Sequence, residues 1–528
     1  MIPERDRVTR RGLLASLGAA VPASILADTK VPADGETPAL GQAQMPVASS
    51  SRPPAASGED LPVATQWGSV VGPIGMPALI ARPSTDIRIR SVEIGYEDFL
   101  YRVPIKFGGR AVDRVTLLNV HCVVEGRDGR TAEGFGSMPL GNVWSFPARS
   151  MSYDDTLTAM KELAVRIAQL SNGLSEYGHP IDLTTAIEPE YLKAADAISA
   201  GITEPLPKLC ALVVGSPFDA ALHDAYGLYH RRNSYQLLTP EFLTRELDHY
   251  LGPEFRGEHL SFYVRSTAVE KLPLYHLVGA LDPIHDGDIA QRLNDCLPET
   301  LPEWIRYNGL RRIKVKLAGN DIAWDVDRLA AVHAATSETQ EKLRVTEWFY
   351  SLDFNENCHG VAYVLDFIRI LEEKAPGAFR HTQYIEQPTA RDLSSHPDFD
   401  MHKASSLVPV VIDESLTDPE ALLTAQRMGY SGAALKACKG ISQSLLITAL
   451  ARKRNLFLCV QDLTCPGASL IESVGLAAHV PGVAAIEANA RQYVPSANQC
   501  WEQRYPDIFT VKDGYIRCGD LDGAGLGF

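Results

Sequence analysis

Beyond Leu260 the sequence alternates short apolar segments with amphipathic helical stretches, a rhythm that few folds accommodate. Candidate strands run from Leu260 to Arg265, Arg312 to Leu317, Val345 to Phe354, Gln383 to Gln387, Val408 to Ile412, Ala433 to Ala437, Leu456 to Gln461 and Val483 to Glu487. Helical stretches between strands are the mark of parallel β/α units, and eight such units predict an α/β fold closed into a barrel rather than an open sheet. The interval from Thr267 to Gly309 exceeds the usual link between strands, which predicts an insertion near 268–310. Upstream, Ile87, Ile89, Val92 and Ile94 alternate, Val115 to Val124 follows, and Gly126 to Gly129 reads as a turn, so a small antiparallel sheet is expected. Helical periodicity over Thr156 to Leu170 and Phe218 to Tyr229 completes an α+β domain at 85–255, ahead of a barrel at 256–495 and a closing segment at 496–528.

Active-site groups of such barrels sit at the C-terminal ends of strands, and five consecutive strands here place charge there. Strand two ends in Lys314-Val315-Lys316, whose period of two turns both ammonium groups to one face. Asp353 and Asn355 close strand three, Glu386 strand four, Asp413 and Glu414 strand five, and Lys436 lies on strand six. Strands two and six oppose each other in a ring of eight, so their lysines face across the mouth with carboxylates on the arc between. Three converging carboxylates repel one another without a cation, and all-oxygen ligation suits Mg²⁺. A proton beside a carboxylate is weakly acidic, and a lysine serves as its base if desolvation and the like charge of Lys314 beside Lys316 lower its pKa. Of the neighbours Asp413 and Glu414, alternation lets one face the pocket, and Asp413 is the choice. Asn355 shares a face with Asp353, where it either meets metal or substrate or caps the next helix.

A net charge of −15 carries no basic footprint, so nucleic acid is not an expected partner. The composition, 45% hydrophobic and 22% charged, is that of a globular protein with room for more than one domain. Thr9-Arg10-Arg11-Gly12-Leu13-Leu14 opens a weakly apolar run to Ala27 that looks like a twin-arginine export signal at 1–27, too short to span a bilayer. The expected location is therefore periplasmic or otherwise beyond the cytoplasm, without stable membrane insertion. Residues 28–84, dense in Pro, Ala and Ser, read as an arm. Nine cysteines show no metal-type spacing, and buried free thiols are expected, with Cys459 and Cys465 as the exceptions to watch.

The motifs IKVK, LDFN, YIEQP, IDES and ALKACK, in that order, resemble those of the enolase superfamily, and within it the muconate lactonizing enzyme subgroup of the muconate lactonizing enzyme and mandelate racemase family. The resemblance covers roughly Ile87 to Phe528 and implies a modified (β/α)₇β TIM barrel with an α+β capping domain, to which the closing DGAGLGF returns. It further implies Lys316 and Lys436 as bases, with Asp353, Glu386 and Asp413 on Mg²⁺. Racemisation, epimerisation or a related isomerisation of a carboxylic acid is the activity expected, a lyase the alternative, and a non-catalytic binder the third reading. The histidine used as base in mandelate racemase is missing near Cys459 to Asp462, and the paired aspartates of dipeptide epimerases are not matched in Ile486-Glu487-Ala488-Asn489. Asp462 and Glu487 are candidates for holding a polar end of the substrate. Tyr96, with Phe99, Tyr101 and Arg102, is expected on or near a loop over the pocket. Partners are then a small carboxylate and further copies of the chain.

Two motifs lead nowhere. Asp353-x-Asn355-x-Asn357 begins like a calcium loop, but Cys358 replaces the glycine and Val364 the final glutamate. Gly134-Phe135-Gly136 has Pro139 where a dinucleotide fingerprint needs its third glycine.

Overall fold

A computed structural model describes residues 84–107 and 110–528. The expected export signal at 1–27, and residues 28–83 of the expected arm, lie outside the described residues. Ile87–Phe107 (β1), Arg110–Gly126 (β2) and Thr131–Pro139 (β3) form an antiparallel sheet in that order. A one-turn helix, Asn142–Ser145 (α1), leads into Tyr153–Gly173 (α2), which starts at a Ser152–Asp155 capping box. Pro180–Ser199 (α3) and Lys208–His230 (α4) complete the capping domain. Gly134 and Gly136 let β3 lie directly on α4, since a Cβ at either would stand 2.2 Å from Ala225 N or 2.1 Å from Pro217 O. The glycines that fail as a nucleotide motif thus serve packing.

The barrel strands are Lys271–Val278 (β4), Arg312–Lys316 (β5), Phe349–Asp353 (β6), Thr382–Glu386 (β7), Val410–Ile412 (β8), Gly432–Leu435 (β9), Phe457–Val460 (β10) and Val483–Glu487 (β11). Each is parallel to the next, and β11 closes the ring on β4 through Ile486↔Leu274 and Glu487↔Tyr275. Helical segments between successive strands make this a (β/α)₇β barrel with an α+β cap. Tyr275, Tyr384, Val411, Ala434, Cys459 and Ala485 form one buried layer inside the ring. Period two then sends Glu386, Asp413, Lys436, Gln461 and Glu487, each two residues further on, into the next layer toward the C-terminal mouth. Among the described residues all nine cysteines are free thiols, and Cys459 and Cys465 are both buried. No helix among those residues is long and apolar enough to cross a membrane.

Seven of the eight expected strands fall within a few residues of their places, but the first does not. Leu260–Phe262 is a 3-10 turn, and the first barrel strand is β4, inside the stretch expected as an insertion at 268–310. Pro273 disguised it, because proline weakens a strand signal wherever its neighbour is unknown. Here Pro273 sits where β4 meets the short antiparallel strand Tyr515–Arg517, opposite Tyr515. The long connection that remains runs from 279 to 311 and holds one helix, Leu301–Asn308. The aromatic segment expected on a loop over the pocket is also different: Tyr96, Phe99, Tyr101 and Arg102 all lie within the 21-residue β1, where aromatic residues favour pleated structure.

The C-terminal segment returns to the cap. Ser234 N–H bonds the Gly525 carbonyl at 2.8 Å, Leu526 N–H bonds Asp224 Oδ1 at 2.9 Å, and Phe528 meets Phe135 edge-on at 6.5 Å. Gly525 adopts φ +77°, and a Cβ there would stand 2.1 Å from Asp224 Oδ1. Gly525→Ala is expected to cost about 1–3 kcal/mol through this strain. A lower urea midpoint at unchanged slope would register it, and an unchanged midpoint would show that the tail does not hold the cap.

Candidate active site

Register builds the site. Lys316 and Asp353 are direct partners between β5 and β6, and Asp353 and Glu386 between β6 and β7, so three charged side chains share one row and one face. Lys316 Nζ stands 2.5 Å from Asp353 Oδ2. Lys314, one pleat deeper, places Nζ 3.0 Å from Asp353 Oδ2, 2.8 Å from Glu386 Oε1, 3.0 Å from Gln461 Oε1 and 3.1 Å from Glu487 Oε2. On the opposite wall Asp413 follows β8, with Oδ2 2.8 Å from Lys436 Nζ and Oδ1 3.1 Å from Lys439 Nζ. All of these side chains are buried.

Burial pushes the Asp353 carboxyl up, but Lys316 and Lys314 outweigh it and hold the group at about 2. Asp413 is likewise held below the ordinary carboxylate range, Lys436, Lys439 and Lys314 overcoming burial. Glu386 goes the other way: burial carries it well above its usual value despite Lys314. The Lys314 ammonium is strongly held in its charged form. Burial does act downward, yet Glu386, Glu487, Asp353 and Asp413 surround the ammonium and hold it well above the ordinary lysine value. Asp353, Glu386, Asp413 and Glu487 face Lys314, Lys316, Lys436 and Lys439 in direct contact, four against four.

A cavity of about 490 Å³ reaches this row from outside, with Lys316, Asn355, Asn320, Trp324 and Lys106 among its walls. Asn355 has φ +45°, and its N–H bonds Asp353 Oδ1 at 2.8 Å. It does not cap the following helix, Val361–Lys374, whose N-cap is Gly360. Glu487 joins the cluster through Lys314. Asp462 stays outside it, because alternation from Cys459 turns Gln461 inward instead. The Asp462 carboxylate accepts from the N–H groups of Cys465 and Asn489, both at 2.6 Å, and burial with Glu487 nearby raises it to about 7. Tyr96 is not part of the site. Its hydroxyl donates to the Lys161 carbonyl at 3.4 Å and the Lys161 ammonium lies 4.8 Å from its ring, so it packs on α2. Phe99 and Tyr101 pack against Val115, Leu117, Ala490 and Val494, and Arg102 pairs with Asp295.

Three members escaped the sequence reading. Gln461, which also donates to the Tyr384 hydroxyl at 2.6 Å, was accessible from the period of two on its strand. Lys439 stands in the same ALKACK motif as Lys436, and the 3-10 turn Ala437–Lys439 brings it back to Asp413. Trp144, from α1 of the cap, donates through Nε1 to Glu414 Oε1 at 2.8 Å and lays its ring 4.0 Å from Lys436 Nζ. Nothing in the local sequence announces that contact across domains. Burial, Asp413 and other acids raise Glu414 to about 7.

A barrel whose C-terminal mouth gathers lysines from strands two and six with acids from strands three to five defines a class, and the comparisons fit it. Residues 297–528 match the family described as enolase C-terminal domain-like. A mandelate racemase/muconate lactonizing protein from Herpetosiphon aurantiacus superposes with TM-score 0.57 at 19% identity, covering 85% of this chain and 99% of that one. A dipeptide epimerase from Enterococcus faecalis V583, complexed with Mg and L-Leu-L-Tyr, gives 0.55 at 17%, covering 83% and 99%. A muconate lactonizing enzyme from Pseudomonas fluorescens, complexed with muconolactone, gives 0.54 at 18%, covering 83% and 96%. At such identities the likeness is one of fold. No curated protein matches the sequence.

Removing one partner of a buried ion cluster leaves its counter-charges stranded. Lys314→Met is therefore expected to destabilise the protein by about 3–5 kcal/mol, since Glu386 and Glu487 lose their common cation. Equilibrium denaturation measures this, and a variant as stable as the parent would show that these acids do not depend on Lys314.

Proposed function

We propose that the protein removes the proton from the carbon next to a carboxylate in a small substrate, giving racemisation, epimerisation or a related isomerisation. The observation that carries this reading is the row of Lys316, Asp353 and Glu386 beside an open cavity, with Asp413 and Lys436 on the facing wall. Lys316 Nζ takes the proton in this reading, because it alone of the four clustered lysines lines that cavity. Asn355 and Asn320 on the same walls offer amide groups to orient a polar substrate. Lys436 supplies a second ammonium that either returns a proton to the other face or steadies developing negative charge. Dipeptide and muconolactone in the similar structures support a small-molecule ligand. The activity is placed outside the cytosol on the strength of Thr9 to Leu14.

Mg²⁺ is the proposed cofactor, and the donor set fits it in kind. Asp353, Glu386 and Asp413 are hard oxygen donors within one another's field, and Glu386 Oε2 is buried without a hydrogen-bond partner. As the side chains stand, no three acids among the described residues are grouped closely enough for one ion, because lysine ammonium groups lie between them. Those three residues would hold the ion, while Gln461 and Glu487 keep the Lys314 ammonium satisfied. When bound, Mg²⁺ supplies positive charge beside the substrate carboxylate as the α-proton leaves. The similar epimerase complexed with Mg supports this assignment.

Incubation of the purified protein with Mg²⁺ and a panel of carboxylates in D₂O, followed by NMR, tests the reading. An isomerase exchanges the α-proton and inverts its centre, whereas a lyase, the second reading, gives new products. Lys316→Ala is expected to lose roughly 10²- to 10⁴-fold in rate, the worth of a positioned base. Exchange at the parent rate in that variant would remove Lys316 from the chemistry, and no exchange or product with any carboxylate would favour a binder.

A further inference from the structure

The two walls of the site differ in access, and the difference comes from the cap. α1 is pinned at both ends of its single turn: Asn142 Nδ2 donates to the Tyr153 carbonyl at 2.8 Å and to Thr156 Oγ1 at 3.0 Å, and the Trp144 carbonyl accepts from Arg391 Nη2 at 3.0 Å. Arg391 is itself held by both carboxylate oxygens of Glu356. With Nε1 bonded to Glu414, the Trp144 indole has one orientation, and its face covers Lys436 Nζ at 4.0 Å and Lys439 Nζ at 5.8 Å. Lys436 is thereby enclosed between Asp413 and the indole. Lys316 lines the cavity of about 490 Å³, and Lys436 is not among its walls.

We propose that Trp144 is a positioning residue that seals Lys436 from ligand, so that a substrate in the cavity reaches the site from the Lys316 wall. Lys436 is then held between Asp413 and the indole face, out of the ligand's reach. Among the isomerisations proposed above, one completed from a single wall, such as ring closure, is then favoured over inversion of a centre. This inference rests on the function proposed above for the roles of the lysines, but the access it claims is measurable without turnover.

Reductive methylation of the full-length protein with formaldehyde and a borane, followed by peptide mass spectrometry, reads each lysine separately. In the parent, Lys316 is expected to be modified at least about tenfold faster than Lys436, as a group reached only by local opening should be. Trp144→Ala is expected to raise the Lys436 rate about tenfold or more, toward that of Lys316, while Trp144→Phe, which keeps a ring over the ammonium, retains most of the protection. Equal rates at Lys316 and Lys436 in the parent overturn the proposal, and so does a folded Trp144→Ala protein whose Lys436 rate is unchanged. If Trp144→Ala does not fold, the parent ratio together with the Trp144→Phe rate decides. Because no arm requires a substrate, loss of the proposed activity and loss of the proposed shield give different results.

Discussion

Four ammonium groups and four carboxylates leave water together only if each finds a partner, since an unpaired ion at this depth costs several kcal/mol. That requirement governs the barrel mouth. It is met by register: the period of two places an apolar layer of Tyr275, Tyr384, Val411, Ala434, Cys459 and Ala485 inside the ring, and the next inward position on each later strand carries charge or amide. Lys314 is the hub, reaching Asp353, Glu386, Gln461 and Glu487 from one strand. A slip of one residue in β5 would turn both lysines into the helix layer and leave Asp353, Glu386 and Glu487 without counter-charge. The cluster therefore specifies the strand register as much as the register specifies the cluster.

The cap is tied to this barrel by polar contacts as well as apolar area. Asp219 of α4 accepts from Ser442 N–H at 2.8 Å and from its hydroxyl at 2.6 Å, and His223 meets the same hydroxyl at 2.9 Å. Ser442 lies in the helix that follows the Lys436 strand, so α4 is anchored within a few residues of the site. The same cap delivers Trp144 to Lys436. Position of the cap and environment of the strand-six lysine are thus one structural quantity, which explains why the shield is built from residues 270 apart in sequence, Trp144 and Glu414.

Much of this was legible before any coordinates. The order of charged strand ends named Lys314, Lys316, Asp353, Glu386, Asp413 and Lys436, because strand periodicity and barrel geometry are local rules that survive folding. Errors arose where locality failed. Pro273 hid β4, since its acceptability depends on an antiparallel strand 242 residues later, at Tyr515. Asp462 was named for a polar substrate end, although parity with Cys459 turns Gln461 inward instead. The raised pKa of Lys314 is set by carboxylates that are its neighbours in space and not in sequence. Trp144 could not be found at all, as its role exists only across the domain seam.

The two lysines of strand two illustrate how one motif divides its labour. Both point inward, but Lys314 is spent on three acids and an amide, while Lys316 sits one pleat higher, against Asp353 and at the cavity wall. A group that must shed and regain a proton cannot also be the sole counter-ion for several buried acids, because losing its charge would strand them. Depth in the barrel thus separates the cation committed to several acids from the lysine proposed as the base. The same logic applied to strand six, where Lys436 has Asp413 on one side and an indole on the other, makes the two walls of this site unequal.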